Sequence, residues 1–156
     1  MQTHLALLRG INVGGRNRVA MADLRKVVES LGHTDVATYI QSGNVIFSSG
    51  VKNTTALATD LERAIATALG VRPRVVVLAR AELAKVIKAN PYPDEPNPKL
   101  VHAIFLTGKP TAAQRSDIKA VQAKAEQLGS RDTVSVVDRT LYLHTPDGYG
   151  NSVLAE

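Results

Sequence analysis

The chain contains no cysteine among its 156 residues. That absence removes disulfides, thiolate metal sites and cysteine nucleophiles together. Its four histidines, His4, His33, His102 and His144, lie far apart and form no H-x-x-x-H spacing. No zinc or other metal site and no cofactor are therefore expected. Aromatic residues make up only 4% of the chain. Single-stranded RNA is usually read by rings on an open sheet. The apolar run His4–Leu8 carries no phenylalanine, tyrosine or tryptophan, and G-N-V-I-F (43–47) departs from the K/R-G-F/Y-G/A-F-V-x-F/Y signature. An RNA-recognition-type platform is not expected, and Tyr39 and Phe47 are read as core or hairpin packing. No apolar stretch approaches a membrane span, and no basic segment precedes an apolar core at the start. The cytoplasm is the expected compartment, with no membrane partner.

Neither a Walker loop, G-x-x-x-x-G-K-[ST], nor a G-x-S-x-G serine elbow is present. Asp94-Glu95 sits in the run P-Y-P-D-E-P-N-P (91–98) and reads as a solvated turn in an extended crossover, not as an acid–base couple.

Hydrophobic residues form 44% and charged residues 21% of the chain, as in ordinary globular domains. A chain of this length buries roughly 70% of its unfolded surface and needs no covalent staple. The net charge is +5 and is unevenly spread. Residues 1–80 hold ten basic and five acidic residues, whereas residues 81–156 hold nine of each. Arg9, Arg16, Arg18, Arg25 and Lys26 against the single Asp23 give residues 9–26 a net +4. An excess so concentrated points to an anionic partner, a small molecule or nucleic acid.

That excess surrounds R-G-I-N-V-G-G-R-N-R-V-A-M (9–21). Gly10, Gly14 and Gly15 permit backbone angles that aim N–H groups inward, and Arg9, Arg16 and Arg18 supply planar donors suited to phosphate. The positive end of a following helix would face the same space. Read only as local structure, the stretch is a glycine-rich connection with solvated arginines.

Around it, the pattern predicts a strand at His4–Leu8, a helix at Ala22–Leu31 and a hairpin of strands Val36–Gln41 and Val45–Ser48 turning at Ser42-Gly43-Asn44. A second helix follows, capped by Thr54 or Thr55, with Leu57, Leu61, Ile65 and Leu69 inward and Gly70 at its end. Arg74–Ala79 is a β-branched buried strand. The order is β-α-β-β-α-β, an α+β, ferredoxin-like pattern whose antiparallel sheet has both helices on one face. Residues 1–80 are read as one such half and residues 81–156 as a second.

In the second half the pattern predicts a helix at Ala81–Ala89 and a strand at Val101–Leu106. A capping box at Thr111-x-x-Gln114 opens a helix to Leu128 with Ile118, Val121 and Leu128 inward. A hairpin joins Thr133–Val137 to Leu141–His144. Asn151 or Ser152 looks like a helix N-cap with only one turn of chain after it, so either this tail frays or the end is a truncated C-terminal helix.

Three ordered stretches, L-L-R-G-I-N-V-G-G (7–15) with Val19, Met21 and Leu24-Arg25 after it, T-Y-I-Q-S-G-N-V-I-F (38–47) and L-Y-L-H-T-P-D-G-Y-G (141–150), resemble the bacterial family called domain of unknown function 1697. The resemblance implies two ferredoxin-like halves and no established reaction. It departs at His33, where the family commonly has an aromatic residue, and at Asn151 and Val153, where it usually has Arg or Lys.

The candidate ligand-binding residues are Arg9, Gly10, Asn12, Gly14, Gly15, Arg16 and Arg18, with Gln41, Ser42 and Asn44 as neighbours. The first reading is a binding module for a phosphate-bearing or other anionic ligand, nucleic acid included. The alternative is an acylphosphatase-like phosphohydrolase. G-x-N-x-G-x-x-x-R (10–18) is similar in spacing to the acylphosphatase loop G-x-V-x-G-x-x-x-R, so by analogy Arg18 would bind phosphate and Gln41 or Asn44 would orient water. Ser42 stands about where the catalytic asparagine would fall, and no catalytic residue is assigned. A third class, assembly through a sheet edge, has no residue-level mark, and the oligomeric state stays open.

Overall fold

Alternation along the first strand, β1 (His4–Arg9), puts His4, Ala6 and Leu8 inward. The computed structural model describes residues 1–155. The chain continues through α1 (Met21–Ser30), β2 (Thr34–Tyr39), β3 (Asn44–Ser48), α2 (Thr54–Leu69) and β4 (Arg74–Ala79). These strands form one antiparallel sheet in the order β2-β3-β1-β4. Leu24, Val27 and Val28 of α1 and Leu57, Leu61 and Ile65 of α2 close over Ala6, Leu8, Val45, Phe47, Val75 and Val77. Phe47 is fully buried, with the rings of His4 and His33 at 5.5 and 4.9 Å. Burial of such a side chain contributes about 2–3 kcal/mol.

Two local expectations shift. Helix α2 is capped by Asn53, whose side chain accepts from the Ala56 N–H, and not by Thr54 or Thr55. Strand β2 stops at Tyr39 because Ile40 takes φ +53°, which ends extended pairing. A β-branched residue is a genuine outlier there. The turn is consequently Ile40–Gly43, and Tyr39 is 71% exposed at its edge, not packed inside.

The chain divides into two compact units, Met1–Lys85 and a second beginning at Val86. The division falls within α3 (Arg80–Lys88). After α3 come β5 (Val101–Phe105), α4 (Ala112–Gln127), β6 (Thr133–Val137) and β7 (Thr140–His144). Their antiparallel sheet has the order β5-β7-β6. The whole is mixed α+β, with two antiparallel sheets and four α-helices among the described residues.

The predicted capping box is complete. Thr111 Oγ1 accepts from the Gln114 N–H at 3.2 Å, and Gln114 Oε1 accepts from the Thr111 N–H at 2.9 Å. Yet Val121 and Leu128, predicted inward, are 55% and 68% exposed, and Ala125 alone is fully buried from α4. The stripe is thin, because its position between Val121 and Leu128 is the small Ala125 and Leu128 lies beyond the helix end at Gln127.

The proline run is held more firmly than a solvated turn. The His144 ring lies 2.7 Å from the Glu95 carboxylate, and Tyr92 packs over it at 4.8 Å between centroids. Thr133 donates to the Tyr92 hydroxyl at 2.9 Å. Buried Tyr142 donates its hydroxyl to the Val86 carbonyl at 2.6 Å, and burial pushes its titration up. Near the end, Ser152 donates to buried Asp132 at 2.7 Å and accepts from the Ala155 N–H at 3.1 Å, but it follows a single 3-10 turn at Tyr149–Asn151 and no helix opens at it among the described residues.

Candidate functional site: the glycine and arginine loop

Five residues between Gly10 and Asn17 have positive φ: Gly10, Asn12, Gly14, Gly15 and Asn17. The loop is a miniature hairpin. Val13 pairs with Arg16 across Gly14-Gly15, and the Arg16 N–H donates to the Val13 carbonyl at 3.0 Å. Positive φ at both central residues defines the tight hairpin turn that Gly-Gly favours. The Asn12 N–H closes the next rung on the Asn17 carbonyl at 3.0 Å. Asn17 Nδ2 donates to the Gly10 carbonyl at 2.8 Å.

Asn12 holds the loop to its surroundings. Its Nδ2 donates to the Val19 carbonyl at 3.0 Å and the Gln41 carbonyl at 2.8 Å, while its Oδ1 accepts from the Val19 N–H at 2.8 Å. Buried Ile11 and Val19 anchor the two sides. Gly43 seals the adjoining turn. Its carbonyl accepts from the Leu8 N–H at 3.0 Å, and a Cβ there would stand 2.7 Å from Ile11 Cδ1. The N–H groups of Asn12, Arg16 and Val19 are thus spent on the loop itself, and the Asn12 side chain is committed to architecture.

What the loop presents is a cleft of about 470 Å³ lined by Asn12, Gly15, Arg18, Val19, Ala20 and Gln41. Ala20 precedes α1 and provides no side-chain cap to that helix. Helix N-terminal N–H groups left without a side-chain cap carry a partial positive charge. Arg18 is exposed and has no hydrogen bond or ion pair with another described residue. The basic residues of α1 differ. Arg25 donates to Thr38 Oγ1 at 2.7 Å, and Lys26 lies 3.8 Å from Asp23.

Of the residues predicted for the site, Asn12, Gly15, Arg18 and Gln41 meet at this cleft. Arg9, Gly10, Gly14, Arg16, Ser42 and Asn44 do not line it. Asn44 lies in β3, its amide 3.4 Å from Ser42 Oγ. Arg9 ends β1 directly opposite Arg74 of β4. Sequence reading missed Arg74 because strand register is a long-range property. The only local signal was its alternation with core residue Val75. Among the described residues no group of three metal-ligating side chains occurs, and no helix is long and apolar enough to cross a membrane.

No curated protein matches the chain. Among solved structures, a conserved bacterial protein, SP0830 from Streptococcus pneumoniae, superposes with a TM-score of 0.71 at 24% identity. The alignment covers 99% of this chain and 84% of that one, and at this identity it speaks to the fold. The family model described as protein of unknown function (DUF1697) matches residues 1–142. The chain belongs to that family.

Proposed function

We propose that the 9–18 loop and the start of α1 bind a phosphate-bearing or other anionic ligand. One observation carries this reading. Arg18, without an acidic partner, stands in a cleft beside the start of a helix that has no side-chain cap. Asn12 acts as the brace that keeps this cleft open, and Gly15 keeps its wall low. In this reading the first unit is ferredoxin-like, supported by the β-α-β-β-α-β order and the strand order β2-β3-β1-β4.

Titration calorimetry with inorganic tripolyphosphate tests the proposal. Arg18→Ala should weaken binding about ten- to a hundredfold, the scale of one charge-assisted hydrogen bond. The unfolding free energy should stay within about 0.5 kcal/mol of the parent, as for an exposed side chain. Undiminished binding with lost stability would make the arginine structural.

A phosphohydrolase reading draws on the presence of Gln41 in the same cleft as Arg18. Asn44, the other residue considered for orienting water, lies outside it. Hydrolysis of acetyl phosphate that disappears in Gln41→Ala would favour that reading over simple binding.

A further inference from the structure

The sheet face turned away from α1 and α2 holds a second set of groups beside this loop. Strand register assigns its rows. Tyr39 pairs with Asn44, Asn44 with Leu7, and Leu7 with Val76. Two residues further along β1, Arg9 pairs with Arg74. Neighbouring Leu8, Val45 and Val75 point into the core, so Arg9, Asn44 and Arg74 point to the opposite face. On β2, Thr38 meets Arg25 of α1, so Tyr39 shares that opposite face.

Each of these groups lacks the partner that would explain it within the fold. Like charges directly opposite one another destabilise an antiparallel pair. Arg9 and Arg74 are both exposed, and neither makes a side-chain hydrogen bond or ion pair with a described residue. A bridging phosphate would turn that repulsion into two charge-assisted contacts. Tyr39 offers an exposed ring at the edge of a turn whose backbone is tied down by the Asn12–Gln41 and Leu8–Gly43 bonds. Ile40 stores backbone strain at φ +53° in the same turn, and such strain concentrates at functional positions. Asn44 lies between ring and arginines, and its amide donates one N–H to Ser42 Oγ at 3.4 Å, which leaves the other N–H and the carbonyl oxygen for a base edge.

We infer that this face binds single-stranded nucleic acid, with one base stacked on Tyr39, the Asn44 amide on a base edge and backbone phosphates across Arg9 and Arg74. The inference rests on the anion-binding reading of the loop and names its ligand class. A row of basic groups beside a stacking ring suits single strands, because every base has a face to stack while the phosphates supply affinity. Duplexes hide those faces.

The test is fluorescence anisotropy of a short dye-labelled oligouridylate, with the parent protein at two salt concentrations and with four variants. Tyr39→Ala should weaken binding about ten- to a hundredfold, and Tyr39→Phe should keep it within about twofold, as stacking requires. Arg74→Ala should weaken binding and lower the salt slope by about 0.7, one phosphate contact on a single strand. Tripolyphosphate affinity should be unchanged in Tyr39→Ala, and its urea midpoint should match the parent. Oligouridylate binding that ignores Tyr39→Ala but falls in Arg18→Ala overturns the inference and leaves the anion site standing. Tripolyphosphate binding without oligouridylate binding does the same. Absence of both overturns both readings.

Discussion

Helices α2 and α4 have 16 residues each, and each begins at a side-chain cap. Helix α2 buries Leu57, Leu61 and Ile65 against the first sheet, whereas α4 buries only Ala125 and leaves Val121 and Leu128 in solvent. Capping therefore does not predict packing. A cap satisfies N–H groups within one turn, whereas burial needs a stripe of large apolar residues that meets a facing surface. The first unit is tightly packed around Phe47. The second relies more on polar ties, among them Glu95–His144, Tyr142–Val86 and Ser152–Asp132.

The sharpest way to break this contrast is a matched pair of truncations. Leu61→Ala should cost about 2–5 kcal/mol, because it opens a cavity in a filled core. Val121→Ala should stay within about 0.5 kcal/mol of the parent, as for an exposed side chain. Urea unfolding of the two variants measures both, and equal costs would mean that α4 is as well packed as α2.

A smaller difference separates two glycines. Gly43 has φ +91°, and an added Cβ would crowd Ile11 Cδ1 at 2.7 Å and Leu8 Cβ at 2.9 Å. Gly129, after α4, has φ +81° and open space around it. Gly43→Ala should cost about 2–4 kcal/mol, from left-handed strain plus overpacking. Gly129→Ala should cost only the strain, about 1–2 kcal/mol. Thermal unfolding that ranks them the other way would overturn the close packing assigned to the 40–43 turn.

Acid should separate the units most gently. Burial holds the His4 and His33 imidazoles below their ordinary value, with His4 adding to the effect on His33 and Asp60 opposing it. The unfolded chain then takes up protons that the folded first unit resists. That unit should lose stability as pH falls through about 6.5. In the second unit, the Asn97 N–H and then His144 hold the Glu95 carboxyl below its usual range. Its stabilising effect is present above the ordinary carboxylate value of about 4.3 and is lost as pH falls through its own lowered value. The protection factor of the Phe47 amide should fall at milder acidity than that of the Tyr142 amide, and a simultaneous fall would refute the assignment.

Much of the framework was legible in the chain because its signals are local. The apolar run of β1, the β-branched run of β4, the stripe of α2 with Gly70 after it and the Thr111–Gln114 box all lie within a few residues. The candidate site was legible only as a region. Asn12 read as a ligand group, but its amide is consumed by Val19 and Gln41, the latter 29 positions away. Tyr39 read as packing because its exposure follows from the backbone of Ile40, whose unusual angle no propensity announces. Glu95 read as solvated because its partner, His144, lies 49 positions on.

By itself, then, the order of residues determined the element types, the Thr111–Gln114 capping box and the concentration of positive charge at residues 9–26. These depend on spacing and composition over one or two turns of chain. Tertiary structure decided that Arg9 would face Arg74, that Arg18 and Gln41 would share a cleft and that α4 would stay half dressed. Those outcomes depend on strand register and on which surfaces meet, and contacts between distant residues set both.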